Sequence, residues 1–213
     1  MNIGVIIIAT NKYIEFVQPL LDSMKKYFLR KHNVEIFLFT DGNMSGVTLI
    51  PTEHRPWPWM TLGRYHLITQ LNQYPKKDYY YYIDADMLIT DFVDEEIFGK
   101  RVCAIHGKFK KKPGNFDRNP LSCAYVPEHI VTPYFCGGFQ GGSNYLKDAE
   151  GLAHKIDTDE KNGVMAAWHD ESHWNRFLLD NPPDVILPYH YCSQKEKDAK
   201  ILIVKKDISA VRS

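Results

Sequence analysis

Cysteine, net charge and long apolar runs are all scarce in this 213-residue chain. Cysteine occurs four times, at Cys103, Cys123, Cys136 and Cys192, with no CxxC spacing and in a chain long enough to fold without cross-links. A small disulfide-stapled scaffold is excluded; four reduced thiols are expected, which points to a cytoplasmic location. The 26 Lys and Arg residues balance 26 Asp and Glu, so no general basic field exists to hold nucleic acid or an anionic membrane. The expected partner is a small molecule. The longest apolar runs, such as Ile3 to Ala9, have the length of a strand and fall far short of the roughly 20 residues a membrane helix needs. No basic region and no small-residue cleavage site precede Ile3, so neither a signal peptide nor a membrane anchor is expected, and the mature chain is expected to begin at or near Met1. A Walker-type phosphate loop is also lacking, as are internal repeats and low-complexity linkers.

What is present is enough apolar matter, 44% of residues, for one good-sized core, and a single domain over 1–213 is the simplest reading. Ile3 to Ala9 is a continuous β-branched run of the kind buried on both faces of a sheet. Phe16, Leu20, Leu21, Met24, Tyr27 and Phe28 then recur at helical spacing within Glu15 to Arg30. Val34 to Thr40 predicts a second strand, closed by the turn signal Asp41-Gly42-Asn43. A βαβ opening of this kind implies parallel strands. After the Arg55-Pro56-Trp57-Pro58-Trp59 loop, Thr61 to Tyr74 reads as a helix stopped by Pro75. Tyr79 to Ile83 reads as a strand running straight into Asp84-Ala85-Asp86. Further on, Arg101 to His106 and Leu121 to Val126 read as strands around a polar loop from Lys108 to Pro120. The Gly-dense stretch from Phe135 to Ser143 precedes a helix from about Leu146 to Ile156. A helix over Asp170 to Leu179 and a strand over Lys200 to Val204 complete the pattern.

Two clusters carry chemistry. Residues at i and i+2 on a strand point the same way, about 7 Å apart, so Asp84 and Asp86 face one spot. Like charges there call for a cation, and oxygen ligands select a hard ion such as Mn²⁺ or Mg²⁺. The plain alternative is a solvated strand end. The second cluster is Trp168-His169-Asp170-Glu171-Ser172-His173, at the start of an apolar helical pattern. Asp170 is explained as an N-cap, with Glu171 in the first turn. Beside an aromatic platform, however, Glu171 suits sugar chemistry, in which a carboxylate meets positive charge developing at an anomeric carbon. Histidines at i and i+4, His169 and His173, would permit zinc on a shared face. Lys108, Lys110, Lys111 and Lys112 read as a solvated loop, whereas Lys205, Lys206 and Arg212 could neutralise a diphosphate from the C-terminal tail.

Several motifs in order along the chain resemble glycosyltransferase family 6, the family of the ABO blood-group transferases and the α-1,3-galactosyltransferase. They are Ile8-Ala9-Thr10-Asn11-Lys12-Tyr13, Arg64, Asp84-Ala85-Asp86, His106, Ala124-Tyr125-Val126-Pro127, Cys136-Gly137-Gly138-Phe139-Gln140-Gly141-Gly142, Trp168 to His173, and Ala210-Val211-Arg212. The resemblance spans roughly Ile8 to Arg212. It implies an α/β GT-A fold, a Rossmann-like mixed sheet flanked by helices, and a soluble, Mn²⁺-dependent, retaining transferase using a UDP-sugar. Matched by position, Ile8, Ala9, Thr10 and Tyr13 would hold the uridine and Ala85 the ribose. Asp84 and Asp86 would carry the metal bridging the phosphates, and Arg64, Gly137, Gly138 and Asp170 would surround the donor sugar. Lys206 and Arg212 would close over the diphosphate. Glycine at Gly138 resembles the form that accepts N-acetylgalactosamine, although Cys136 replaces the usual Leu or Met. His106, Asn115 (where Thr is usual), Trp168 and Glu171 would meet a galactoside acceptor, possibly fucosylated, with Glu171 at the reacting carbon. Rival readings are a non-catalytic carbohydrate-binding protein built on Trp168 and the Trp57/Trp59 loop, and a metal-dependent phosphohydrolase using the Asp pair.

Overall fold

The apolar run at the start forms β1 (Asn2–Ile8), in which Ile3 and Val5 to Ile7 are fully buried. A 3₁₀ turn over Asn11–Phe16 leads into α1 (Val17–Tyr27), which lays Val17, Leu20 and Met24 on the sheet. The helical pattern from Glu15 to Arg30 is therefore split between two helix types. β2 (Asn33–Thr40) pairs parallel with β1, as the βαβ reading requires. β3 (Thr48–Pro51), parallel to β2, is a short edge strand without a sequence signal of its own. The helix expected over Thr61 to Tyr74 is broken: α2 (Trp59–Leu62) stops at Gly63, α3 (Arg64–Thr69) restarts at Arg64, and a 3₁₀ turn over Gln70–Gln73 precedes Tyr74.

β4 (Tyr79–Ile83) occupies its predicted span. It is followed by β5 (Met87–Ile89), β6 (Val102–Ile105), β7 (Phe135–Gly142), α4 (Tyr145–Lys161), α5 (His169–Asp180), β8 (Val185–Leu187) and β9 (Ile201–Ile203). The computed structural model describes residues 1–195, 197 and 199–207. Among these, the strands form a mixed seven-stranded sheet in the order β3-β2-β1-β4-β7-β6-β8 and a two-stranded ribbon of β5 and β9. β7 runs antiparallel to both β4 and β6. Apolar layers cover both faces of the sheet, one built on α1 and the other on α3, α4 and α5. The α/β architecture is that expected of a GT-A fold. No helix among the described residues is long and apolar enough to cross a membrane.

Two expectations need correction. Leu121 to Val126 is a turn rather than a strand, linked to the rest by the bridge Asp117–Tyr125, by Arg118 donating to the Val126 carbonyl and by Asp159, which accepts from Ser122 Oγ and Cys123 N. The Gly-dense stretch forms the buried strand β7, because glycine lets it lie against bulky tyrosines: a Cβ on Gly141 would sit 2.3 Å from the Tyr80 carbonyl. The cysteines are not all reduced. Cys136 and Cys192 are joined by a disulfide, while Cys103 and Cys123 are free. Folding brings residues 56 apart in sequence to a Cα separation of 6.6 Å, a proximity that spacing alone does not reveal. The cysteine argument for a cytoplasmic location falls with this bond.

Candidate active site

β2 and β3 extend the sheet on one side of β1 and β4 on the other, so the carboxyl ends of β1 and β4 flank a topological switch point, where open α/β sheets bind ligands. A cavity of about 230 Å³ opens there. Ile8, Thr10 and Tyr13 line it from the end of β1, Arg64 from α3, Asp84, Ala85 and Asp86 from the end of β4, and Lys206 from the C-terminal segment. Ala9 is buried, its amide donating to the Phe39 carbonyl. His54, Met60 and Thr61, which carried no sequence signal of a site, also line the cavity, as does Trp57 of the aromatic loop. The first of these pairs with Thr10, Oγ1 to Nδ1, at 2.8 Å.

Asp84 and Asp86 do not continue the strand. They lie in a turn closed by the Met87 amide donating to the Asp84 carbonyl, and they have different cationic partners. Arg64 Nη2 (3.0 Å) and the Tyr82 hydroxyl (2.6 Å) both donate to Asp84 Oδ1. Lys206 donates to Asp86 and, at 3.0 Å, to the Tyr13 hydroxyl. Burial, reinforced by the Asp84 charge, pushes the Asp86 carboxyl above its ordinary range, with Lys206 opposing. Among the described residues no group of three or more His, Cys, Asp or Glu is arranged to hold a metal. Two adjacent carboxylates in a cavity do fit a hard ion that draws its other ligands from water and phosphate.

Arg64 is the hub. Buried on α3, it reaches Asp84, pairs with Asp170 Oδ2 at 2.7 Å, donates to the Gly137 carbonyl at 2.6 Å and lies over the Tyr82 ring. Burial alone would depress its ionisation, but Asp170, Tyr82 and Asp84 more than offset this and keep it charged. Asp170 is not the N-cap. Trp168 holds that place, His169 follows with φ 50°, and Asp170 is turned into the core against Arg64. Burial raises the Asp170 pKa to about 6. Glu171, next along the first turn, accepts the Gly137 amide on Oε2 at 2.8 Å, and burial pushes its pKa up to about 7 against that hydrogen bond.

Gly137 and Gly138 come close to these groups. A Cβ on Gly137 would stand 3.3 Å from Glu171 Oε2, and one on Gly138 would stand 2.7 Å from Asp84 Oδ2. The acceptor candidates gather nearby. The His106 amide donates to the Tyr134 carbonyl, the His106 ring is 5.9 Å from that of Tyr134, and Gly114, just before the exposed Asn115, packs on the same tyrosine. Tyr134 in turn interacts with Glu171. Burial lowers the His106 pKa to about 4. Trp168 is half exposed at the start of α5.

The i,i+4 histidines do not form a zinc pair. His173 is buried 3.5 Å from Asp159 Oδ2, with a pKa lowered by burial to about 4, whereas His169 packs on Trp57 with ring centroids 5.0 Å apart. Lys108 and Lys112 lie over Phe109 and Lys110 over Tyr189, and none of the three lines the cavity. Arg212, with the rest of Ala210-Val211-Arg212, lies outside the described residues. Sequence reasoning missed Tyr82, Tyr134, Gln140 and the Gly137 peptide, whose roles depend on where the backbone turns.

Comparison with known proteins agrees with this geometry. The model of "Glycosyltransferase family 6" matches residues 1–213. The chain is 30% identical to the human "Globoside alpha-1,3-N-acetylgalactosaminyltransferase 1" over the whole of this chain and 69% of the relative. It is 28% identical to the rat "Histo-blood group ABO system transferase 1" over the same shares, and 24% identical to the human "Alpha-1,3-galactosyltransferase 2" over 90% of this chain and 62% of the relative. A switch-point cavity with an acidic turn and a buried Arg–Asp–Glu cluster, and a family model covering every residue, lead to one conclusion: this chain is a glycosyltransferase and belongs to glycosyltransferase family 6.

Proposed function

We propose that the chain moves N-acetylgalactosamine, with galactose as the alternative donor sugar, from its UDP derivative to the 3-hydroxyl of a galactoside, possibly a fucosylated one, with retention of the anomeric configuration. The observation that carries this reading is the connected set Asp84–Arg64–Asp170 and Arg64–Gly137–Glu171, which runs from the cavity lining at Asp84 and Arg64 into the protein behind it. It links the acids expected at the diphosphate to the carboxylate expected at the reacting carbon. The relatives' names, α-1,3-N-acetylgalactosaminyl- and α-1,3-galactosyltransferase, support the linkage and the two donor sugars.

In this reading Ile8, Ala9, Thr10, Tyr13 and Ala85 bind the nucleoside. Asp84 and Asp86 would hold Mn²⁺, with Mg²⁺ as a substitute; the ion, when bound, neutralises charge gathering on the departing diphosphate. Lys206, already at the acidic turn, adds a cation there, and the family resemblance assigns Arg212 to the diphosphate as well. Arg64 keeps Asp170 ionised and the Gly137 peptide fixed. Ionised Glu171 meets the positive charge that develops as the bond from the anomeric carbon to the UDP oxygen breaks, either by attack or as a counter-charge. The acceptor oxygen then bonds to that carbon, displacing the Glu171 carboxylate in the attack route, and its proton leaves with the diphosphate. His106, Asn115 and Trp168 orient the acceptor, and the missing side chain at Gly138 leaves room for the N-acetyl group.

Mass spectrometry of products from mixed UDP-sugars and a panel of galactosides tests the assignment. A single added N-acetylhexosamine or hexose on a galactoside is expected. A product on no galactoside contradicts it. Transfer that continues at its untreated rate in EDTA removes the metal from the account.

A further inference from the structure

Strand β7 pairs with β6 at both ends but not in the middle. On one side it pairs with β4 from Tyr80–Gly142 to Ile83–Phe139, and the Asp84 amide extends that ladder to the Gly138 carbonyl. On the other side, one step past Cys103–Gln140 and Val102–Gly141, the register with β6 jumps to Ile105–Phe135. The stretch from Cys136 to Phe139 therefore bulges away from β6. At its far end Phe135 is held by Asn175 of α5, whose Oδ1 accepts its amide and whose Nδ2 donates to its carbonyl. A bulge of this kind re-aims backbone groups and costs the ladder bonds it displaces.

The Gly137 carbonyl is one of those displaced groups. It accepts from Arg64 Nη1 and, at 2.8 Å, from Gln140 Nε2, three residues along the same strand. Gln140 is wholly buried among apolar neighbours in the sheet, and its Oε1 accepts the Tyr65 hydroxyl at 3.1 Å. Burying an amide is unfavourable unless its groups are satisfied, and here both are, by partners that leave the amide one orientation. That orientation holds the carbonyl of the peptide plane next to the amide that donates to Glu171 Oε2.

We propose that Gln140 is a positioning residue for sugar transfer: by clamping the Gly137 carbonyl inside the β7 bulge it keeps the Gly137 amide directed at Glu171. The proposal rests on Glu171 being the group at the reacting carbon. Arg64 holds the same carbonyl but also serves Asp84 and Asp170; Gln140 has no tie to the acids of the cavity.

The test is steady-state transfer from UDP-N-acetylgalactosamine to a fucosylated galactoside by Gln140→Met, Gln140→Glu and Tyr65→Phe, with UDP binding measured in parallel. Gln140→Met removes the clamp at similar volume. Its kcat should fall about tenfold, the worth of one hydrogen bond felt at the reacting centre, with KM for the donor and UDP affinity little changed. The acid limb of its pH–kcat profile should move to higher pH, because Glu171 loses a donor to its ionised form while Asp170, Arg64 and Tyr134 still face it. Gln140→Glu, protonated in so apolar a place, keeps a donor for Gly137 and an acceptor for Tyr65 and should retain most turnover. Tyr65→Phe removes the hydroxyl that orients the Gln140 amide but leaves its donor to the Gly137 carbonyl in place, and should lose less turnover than Gln140→Met. If Gln140→Met keeps full kcat and the parent's pH profile, or if Tyr65→Phe loses as much, the proposal is overturned. Should Gln140→Met not fold, Gln140→Glu decides through pH: transfer should switch off reversibly as its new carboxyl ionises, and a profile identical to the parent's overturns the clamp. Near-normal turnover in Glu171→Gln would defeat the underlying reading; an unaffected Gln140→Met beside a dead Glu171→Gln would defeat only the clamp.

Discussion

Glu171 owes its ionisation near neutrality to a contest between burial, which favours the acid, and the Gly137 amide, which favours the carboxylate. Since the carboxylate is the form that answers positive charge, turnover should rise with pH through about 7 and fall away below it, a limb read from the pH dependence of kcat. Arg64 faces the opposite constraint. Arg64→Met would leave Asp170 buried without its ion-pair partner and should cost about 3–5 kcal/mol in denaturant unfolding, as for other broken buried pairs. Arg64→Lys should restore part of that stability but little transfer, because a point charge cannot fork to Asp84, Asp170 and the Gly137 carbonyl together. At this scale the sequence was informative where the chemistry sits in side chains: Asp84, Asp86 and Glu171 stand out because carboxylates there adjoin apolar or aromatic residues. It was silent on the Gly137 peptide, whose role depends on the aim of a backbone amide.

Among the elements, β1 and β4 could be read directly, since strands buried on both faces are written as unbroken apolar runs, and β2 from its buried apolar half. β7 could not, because a Gly-rich strand has the composition of a loop, and its identity lies in the tyrosines of β4 across from it. The short edges β3 and β8 leave no periodicity to find. The break between α2 and α3 follows from Gly63, which ends one helical turn so that Arg64 can open the next. The glycines of β7 should also separate by function. Gly141→Ala drives a Cβ into backbone at 2.3 Å and should destabilise the fold by about 1–3 kcal/mol or more in thermal or denaturant unfolding. Gly137→Ala meets Glu171 at 3.3 Å, a contact a side chain can relieve, and should spare stability while depressing kcat.

For the molecule as a whole, the disulfide joins the start of the β7 bulge to the segment leading into β9 and Lys206, so the strand that contacts Glu171 and the C-terminal segment are covalently tied. Its 56-residue separation corresponds to about 4 kcal/mol on a loop-entropy estimate. Thiol titration of the denatured, unreduced protein should find two groups, Cys103 and Cys123, and four after reduction, with a lower melting temperature for the reduced form. Four thiols before reduction would contradict the pairing. The sheet order, with its switch point between β1 and β4, brings the end of β1, the acidic turn, α3 and the start of α5 into one site. The most direct test of that site is UDP release from UDP-N-acetylgalactosamine in the presence of a galactoside, compared between the parent and Glu171→Gln at matched UDP occupancy. Loss of nearly all release in the variant, with UDP bound as tightly as before, is the predicted result; release at the parent's rate would contradict it.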